Sequence, residues 1–426
     1  MRKSACISLM LMFCCTISAF AQNYKVLYSF QGNSGGVDGA GPVGNLSVDN
    51  EGNLYGVTQN GGLGSGTVFE LSPNGDGTWT EKIIYDFCSN FVNQICIDGA
   101  EPLAGLVSDA EGNLYGTTYV GGSSNCRVNG SGCGTVYELS PPSAQGGTWT
   151  LTTLYSFCLK ASGTSCLDGN FPVASLSLDA SGDLYGTTSQ GGAGNAGAIF
   201  KLSSGQNGWT ESLLYSFCED GNPPVCPDGY YPQAGVTFDA SGNLYGTTSQ
   251  GGDIRGKAEG TVYKLSPDKN GWTEVVLYAF VPPFSKGEHP LGNLSFDAAG
   301  NLYGTTSFGC LANGGSVLRL SPKGTAKIVV FNGYDGASPL AGVLVNPKGS
   351  TIYGTTNLKG AYGGGNIFKI GPTGIETVLY DFCQQDSCAD GVAPGGGLVS
   401  NGNNVLFGAT ERGGTAGYGV VYQLTP

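Results

Sequence analysis

Short apolar runs recur along the chain and are separated by glycine-rich polar segments. In one representative stretch they occupy residues 103–108, 113–118, 135–139 and 149–157. The runs are rich in β-branched and aromatic residues, as β-strands are. An Asp-Ala-Glu-Gly turn separates the first two runs, and Ser140-Pro141 ends the third. No run has the 3.6-residue period of an amphipathic helix. The pattern therefore predicts units of four short strands.

The unit is repeated, and its most regular part reads NLYGTT or a close variant. The spacing between copies varies, which indicates a constant strand unit with loops of variable length. Four strands per unit and seven units predict an all-β fold, a seven-bladed β-propeller. The copies lie at residues 53–58, 113–118, 183–188, 243–248, 301–306, 351–356 and 404–410.

The two ends of the chain complement each other. Residues 24–30 (YKVLYSF) have the sequence of a fourth strand, but they precede any complete unit. The last unit stops after its third strand, at residues 420–426. Pairing of the N-terminal strand with the last unit completes the seventh blade and removes an exposed sheet edge. An open β-solenoid is the alternative, and it would not need complementary ends.

The motifs NLYGTT with a following GG loop, GTVYELSP-like strands and LYSF followed by DG resemble the bacterial GloVer-type tandem repeats of exported "choice-of-anchor" proteins. The resemblance covers nearly all of the chain after residue 21. It implies an exported propeller, and it implies no catalytic residues, because the family is defined by its repeats. The D-x-x-G-N-L-Y portion is also similar to NHL-type propeller repeats.

The N-terminus predicts export. Arg2 and Lys3 precede an apolar run that ends in Ala19-Phe20-Ala21, the pattern of a signal peptide with its cleavage site. A membrane anchor is the alternative, but the run is shorter than the ~20 residues that a spanning helix needs. We expect residues 1–21 to be the signal peptide and residues 22–426 to be a single propeller domain, secreted or at the cell surface. No later segment is apolar enough to predict a membrane span.

Cysteine spacing supports an oxidising compartment. Ten of the cysteines beyond the signal peptide form close pairs, whereas Cys310 is left over. Local disulfides are expected in an exported protein, where they would rigidify individual surface loops. Zinc binding is the alternative, but no Cys-x-x-Cys knuckle occurs. The predicted pairs are Cys88/Cys96, Cys126/Cys133, Cys158/Cys166, Cys218/Cys226 and Cys383/Cys388.

Charge and composition exclude several classes of function. The chain has 426 residues, 19 Lys and Arg against 32 Asp and Glu, and a net charge of −13. This balance disfavours nucleic-acid binding, which depends on basic side chains. The single histidine, His289, excludes multi-histidine metal centres. We therefore predict no cofactor, leave metal binding open and expect a turn role for His289.

A second repeated motif, Asp-Gly-x-x-Pro, precedes each first strand. One interpretation is a cation or polar-ligand site made by a ring of aspartates at the channel mouth. The structural interpretation, that each Asp caps its own turn, is favoured because a motif present in nearly every blade more often serves geometry. The fifth copy departs from the motif and reads Lys-Gly-Glu-His-Pro at residues 286–290. The aspartates are Asp38, Asp98, Asp168, Asp228, Asp335 and Asp390.

A second set of aspartates is predicted to cap the tight turns on the opposite face. These residues are Asp49, Asp109, Asp179, Asp239 and Asp297.

Loop aromatics are the other candidates for ligand binding. Two sets share the predicted functional face, where exposed rings on a rigid scaffold suit sugar or protein recognition. Burial under their own loops is the alternative for each residue taken singly. Tyr119, Tyr230 and Tyr231 are selected as ligand-binding candidates. The two sets are Tyr119, Phe308, Tyr362 and Tyr418, and Phe91, Phe171, Tyr230, Tyr231 and Phe284. The tryptophans that start fourth strands are expected to be structural: Trp79, Trp149, Trp209 and Trp272.

These observations predict a secreted, monomeric, non-catalytic binding or scaffold module whose partner is a glycan, a cell-surface component or an exported protein. The alternative is a carbohydrate-active hydrolase or lyase that uses carboxylates at the channel mouth. A third hypothesis is a purely structural surface protein without a concave pocket. A G-x-S-x-G match at residues 32–36 lies in a loop and does not indicate a nucleophile elbow.

Overall fold

The computed structural model describes residues 23–32, 38–122, 126, 131–144, 146–162, 165–219, 221, 223–269, 271–283, 286–310, 313–346 and 351–426. These residues form seven four-stranded antiparallel blades, with one first strand split in two, and two small hairpins in loops. The prediction of a seven-bladed β-propeller is confirmed. The predicted signal peptide, Phe284 and the serine of the G-x-S-x-G match lie outside the described residues.

The strands are short and follow the repeated unit. In chain order they are β1 (Asn23–Ser29), β2 (Gly39–Val48), β3 (Leu54–Gly61), β4 (Thr67–Pro73), β5 (Trp79–Asp86), β6 (Phe91–Val92), β7 (Ile95–Cys96), β8 (Val107–Ser108), β9 (Leu114–Thr118), β10 (Thr135–Ser140), β11 (Thr150–Ser156), β12 (Ala161–Ser162), β13 (Ser165–Cys166), β14 (Ser177–Leu178), β15 (Leu184–Thr188), β16 (Ala198–Gly205), β17 (Gly208–Ser216), β18 (Thr237–Phe238), β19 (Leu244–Thr248), β20 (Thr261–Asp268), β21 (Gly271–Ala279), β22 (Glu288–Pro290), β23 (Ser295–Phe296), β24 (Leu302–Phe308), β25 (Ser316–Leu320), β26 (Ala326–Val330), β27 (Leu344–Val345), β28 (Ile352–Thr356), β29 (Asn366–Ile370), β30 (Glu376–Asp381), β31 (Val399–Ser400), β32 (Leu406–Thr410) and β33 (Val420–Thr425). A 3₁₀ turn spans Asp386–Cys388.

Blades are numbered by the order in which their first strands occur. Their strands are β2–β5, β8–β11, β14–β17, β18–β21, β22–β26, β27–β30 and, for the seventh blade, β31–β33 with β1. Hairpins β6–β7 and β12–β13 lie in the loops that leave the first and second blades.

The N-terminal strand closes the ring. Strand β1 pairs antiparallel with β33, with Asn23 opposite Thr425 and Ser29 opposite Val420. Between the seventh and first blades, the Gly397 amide donates to the Asn45 side chain at 2.7 Å. The prediction from the complementary ends is therefore confirmed, and the seventh blade has no missing strand.

Buried phenylalanines, each of which we call an aromatic plug, join neighbouring blades. The phenylalanine that ends each LYSF-type strand is buried, and in six blade boundaries it meets a third-strand ring of the next blade at a steep angle. Such contacts contribute about 0.5–1.5 kcal/mol each beyond the burial of area. The pairs are Phe30–Phe69, Phe87–Tyr137, Phe157–Phe200, Phe217–Tyr263, Phe331–Phe368 and Phe382–Tyr422.

The tryptophans also pack between blades. Trp79 contacts Phe407 of the seventh blade, and Trp149 contacts Tyr55 of the first blade. Trp209 contacts Tyr115 of the second blade. Trp272 packs on the buried cluster shared by the third and fourth blades.

Contacts inside each blade explain the NLYGTT motif. A Cβ on Gly116 would lie 2.4 Å from the Tyr137 hydroxyl, so the glycine makes room for the aromatic ring across the sheet. The second threonine of the motif shares a buried hydrogen bond with the third strand, as between Thr118 and Thr135 at 2.8 Å. The repeated string therefore serves the blade interior.

Strand β2 and the segments that lead into the other first strands surround a central cavity of about 300 Å³. It is lined by backbone and by small, aliphatic or amide side chains from all seven blades, including Gly44, Gly105, Asn293 and Gly342. No charged residue and none of the six Asp-Gly aspartates belongs to the described lining.

Candidate functional site

The antiparallel strand order divides the loops between two faces. The turns between first and second strands and between third and fourth strands lie on one face, which we call the turn face. The loops between second and third strands and those that lead to the next blade lie on the other, which we call the loop face.

Among the described residues, no helix is long and apolar enough to cross a membrane.

The disulfides all belong to the loop face, and the five predicted pairs are confirmed. They join Cys88 to Cys96, Cys126 to Cys133, Cys158 to Cys166, Cys218 to Cys226 and Cys383 to Cys388.

The depth of three disulfides corrects the expectation that these bridges only rigidify surface loops, because all six of their cysteines are buried. Cys226 is fully buried, with 0% of its surface exposed, and its partner Cys218 is 1% exposed. Both pack in one apolar cluster with Phe217 and Tyr230, because the loop after the third blade folds back over the aromatic plug. The Cys226 carbonyl also accepts from the Gly252 amide of the fourth blade at 2.8 Å. Cys226 is therefore a core residue between two blades, and its side chain is inaccessible to a ligand.

Aspartates on the turn face make nearly the same hydrogen bonds in five blades. Asp109 accepts from the amides of Glu111 and Asn113, from the Asn113 side chain and from the Tyr115 hydroxyl, at 2.8–3.0 Å. The predicted capping role is confirmed.

The pKa values of two of these turn-face aspartates agree with the capping role. Burial acts to raise the pKa of Asp239 and Asp297. Hydrogen bonds from the neighbouring asparagine, backbone and tyrosine outweigh it, so the pKa of both carboxyls lies below its usual value.

The Asp-Gly aspartates of the loop face also bind their own loops. Asp98 accepts from the Tyr85 hydroxyl at 2.7 Å and from the Ser89 amide at 3.0 Å. The same tyrosine and amide pattern recurs at Asp38, Asp168, Asp228 and Asp390. Asp335 has no such tyrosine partner among the described contacts and accepts from the Asn332 amide at 2.8 Å. These are the hydrogen bonds that the structural interpretation expects, and ligand binding by the six aspartates stays a prediction.

Four outer-strand glutamates face the aspartate of the preceding loop. Burial is the main cause of their raised pKa, and the neighbouring aspartate adds to it. The pKa rises to about 7 for Glu81 and to about 8 for Glu274 and Glu376. Burial also raises the pKa of Glu211, although the Lys160 ammonium lies 2.6 Å from its carboxylate. Sequence reasoning missed these carboxyl pairs because the two partners lie at opposite ends of one repeat, as Asp38 and Glu81 do.

A ring of residues with a left-handed backbone conformation surrounds the loop-face entrance of the central cavity. The residue before the proline of each Asp-Gly-x-x-Pro motif, or of its Lys-Gly-Glu-His-Pro counterpart, has a φ between 53° and 65°. Its amide donates to the loop of the preceding blade, as His289 does to the Glu259 carbonyl at 2.9 Å. Such strained positions in non-glycine residues often occur at functional sites. The side chain differs from blade to blade, and the ring consists of Gly41, Glu101, Phe171, Tyr231, His289, Ser338 and Ala393.

Exposed apolar side chains concentrate on the loop face. Among the described residues, all large exposed ones lie there except Leu213, Val275 and Ile375. Four exposed rings come from the fifth to seventh blades and the loop between the fifth and sixth. They are Phe308 (41% exposed), Tyr334 (91%), Tyr362 (56%) and Tyr418 (36%), which we call the aromatic sector.

The predicted aromatics are thus divided between exposure and burial. Phe308, Tyr362, Tyr418 and Phe91 are exposed. Phe171 and Tyr230 are buried, and they pack on Tyr119 and Tyr231 with ring centroids 5.0 Å apart. Tyr334 was not predicted, and only its position beside Asp335 could have drawn attention to it.

One group of potential metal ligands converges among the described residues. The sulfurs of Cys133, Cys158 and Cys166 lie within 4.8 Å of one another, and all three belong to disulfides. Because metal binding needs a thiolate, this oxidised cluster does not fit a metal. Cys310 is free and half-buried, and burial raises the pKa of its thiol.

Solved structures that are similar to this chain are distant from it in sequence. Puromycin hydrolase is 12% identical with a TM-score of 0.53, over 88% of this chain and 50% of that protein. A luciferin-regenerating enzyme is 11% identical with a TM-score of 0.44, over 91% and 92% of the two chains. A protein of unknown function from Dyadobacter fermentans is 12% identical with a TM-score of 0.44, over 83% and 96%. At 12% identity, the similarity to puromycin hydrolase shows the fold alone.

No curated protein matches the chain. The sequence pattern of the Gloeobacter/Verrucomicrobia repeat matches it three times, at residues 14–165, 98–282 and 255–426. Together the matches cover nearly the whole sequence, as the seven structural repeats would require. The chain therefore belongs to the Gloeobacter/Verrucomicrobia repeat family.

Proposed function

We propose that this chain is an exported, non-catalytic binding module that holds a polysaccharide on its loop face. The observation that carries the proposal is the aromatic sector: four exposed rings on the loop face of a rigid scaffold. Flat apolar rings next to a few polar groups suit the alternating faces and hydroxyls of sugars.

One disulfide supports part of the aromatic sector. The carbonyl of Cys388, which is bonded to Cys383, accepts from the Gly414 amide at 3.0 Å, in the loop that carries Tyr418. A loop held in this way loses little entropy when a ligand binds, which favours affinity. The disulfides also support the exported location, since they persist in oxidising compartments.

The test is binding of residues 22–426 to a broad glycan array. We expect retention of one glycan class, and we expect Tyr334→Ser with Tyr362→Ser to reduce it by at least tenfold. Ile375→Ser on the turn face is the matched control, because it also removes an exposed apolar side chain. Equal retention by all three proteins would contradict the proposal.

One observation favours a carbohydrate-active hydrolase or lyase as the second candidate. The Glu411 carboxylate lies against Gly395, which lines the central cavity. Burial raises the pKa of Glu411, as a general acid requires. Incubation with the retained glycan, followed by analysis of its reducing ends, tests this candidate. Cleavage that Glu411→Gln abolishes would establish it, whereas unchanged glycan would favour the binding module.

A further inference from the structure

The boundary between the fourth and fifth blades differs from the other six. The Asp-Gly pair is replaced there by Lys286-Gly287, and the left-handed position is occupied by the only histidine of the chain. Among the described residues, this loop also lacks the disulfide that the loops after the first three blades contain. A site for one ligand needs such a break in the symmetry.

His289 is held by contacts on several sides. Its amide donates to the Glu259 carbonyl at 2.9 Å, and its carbonyl accepts from the Ser307 hydroxyl at 3.1 Å. Its Nδ1 lies 2.9 Å from the Ser249 carbonyl oxygen. Because a carbonyl only accepts, Nδ1 is the donor in this contact. In the tautomer whose one proton is on Nδ1, Nε2 presents a lone pair.

A second acceptor lies beside this nitrogen. Nε2 is 3.8 Å from the Glu259 Oε2, and both side chains are partly exposed, at 29% and 37%. The two atoms cannot hydrogen-bond to each other in the neutral state of the ring, because both accept. They suit a ligand that supplies two neighbouring donors, one for each acceptor.

An exposed aromatic ring flanks the pair. Phe308 stands edge-on to the His289 ring, with centroids 5.9 Å apart, and Phe308 is itself exposed. Two acceptors beside an exposed aromatic ring are the groups that recognise a sugar by its hydroxyls and its apolar face.

We infer that His289 and Glu259 form the specificity subsite of the loop face, where they accept hydrogen bonds from two adjacent hydroxyls of one neutral sugar residue that packs on Phe308. The inference rests on the proposed polysaccharide binding and adds its location and the hydroxyl pattern recognised. A divalent cation suits the position less well, because two protein ligands are fewer than such ions take from structural sites.

The single histidine makes the test direct. Tag-free protein with ¹⁵N-labelled imidazole gives signals from His289 alone. The probes are the glycan retained on the array, methyl α-D-mannopyranoside and methyl β-D-glucopyranoside, which differ in the orientation of adjacent hydroxyls. We expect the free protein to show the proton on Nδ1, and we expect at least one probe to shift the Nε2 signal in a saturable way.

Two variants complete the experiment. His289→Asn keeps a residue that tolerates a left-handed backbone but removes the Nε2 acceptor, and Glu259→Gln removes one carboxylate oxygen. Each should weaken glycan binding about tenfold without lowering the melting temperature. Glu51→Gln on the turn face is the control for the glutamate change.

The outcomes separate the two proposals. A proton on Nε2 in the free protein would overturn the subsite. Array binding with an unchanged His289 signal would also overturn it while leaving polysaccharide binding intact. A blank array with no response to either methyl glycoside would overturn both.

Discussion

The two faces of the propeller use aspartate in a similar way but differ in everything around it. On the turn face, Asp109 and its equivalents cap short turns of nearly constant sequence. On the loop face, Asp98 and its equivalents anchor loops whose length, disulfides and exposed residues change from blade to blade. Residues that repeat in every blade therefore build the fold. Loops that differ between blades, although a repeated aspartate holds them, form the surface available for recognition.

The largest expected effect on stability comes from removing an aspartate that holds a loop of the loop face. Asp98→Ala leaves the Tyr85 hydroxyl and the Ser89 amide without their buried acceptor, so we expect the free energy of unfolding to fall by about 3 kcal/mol. Asp109→Ala on the more exposed turn face should cost about 1 kcal/mol. Chemical denaturation of both variants measures the difference. Equal costs would mean that the two sets of anchors are equivalent.

The next effect concerns the disulfides of the loop face. Cys158→Ser with Cys166→Ser opens a loop with a sequence separation of 8 residues. The chain-entropy model predicts a loss of about 2.5 kcal/mol. Calorimetry should show a lower melting temperature for this variant, with the blade signal in far-UV circular dichroism retained. An unchanged melting temperature would show that the loop is held by packing alone.

The smallest effect is a change in pH dependence at a carboxyl pair. Burial, with the charge of Asp228, raises the pKa of Glu274 from 4.5 to about 8. The folded state therefore holds a proton that the unfolded state loses above pH 4.5, and stability falls as the pH rises toward 8. Glu274→Gln should remove this loss and stabilise the protein by about 1 kcal/mol above pH 8, after allowance for solvent screening. At pH 4.5 and below it should have little effect.

Thermal unfolding across this pH range measures the Glu274→Gln effect. Glu51→Gln, an exposed change on the turn face, is the matched control. A constant difference between Glu274→Gln and the parent protein at all pH values would contradict the raised pKa of Glu274.

Much of the fold could be predicted from residues that recur, because their contacts lie within one repeat or between equivalent neighbours. The glycine of NLYGTT, the turn aspartates and the complementary ends all belong to this class. The exposure of loop residues could not be predicted, since it depends on how each loop packs on the next blade. Tyr230 and Cys226 are buried for this reason, whereas Tyr334 is exposed.

The candidate site was only partly accessible to sequence reasoning. His289 stood out as the single histidine in the unit that departs from the motif, but nothing in the sequence connects it with Glu259, 30 positions earlier. The connection requires the Ser249 carbonyl and the left-handed backbone that orient the imidazole ring. Such contacts cross a blade boundary and depend on the closed ring.

The glycan array with matched variants tests the central claim most directly. We predict that residues 22–426 retain one glycan class, that Tyr334→Ser with Tyr362→Ser reduces retention at least tenfold, and that Ile375→Ser leaves it unchanged. Retention that is independent of the aromatic sector, or lost equally in the turn-face variant, would contradict the claim that the loop face is the recognition surface.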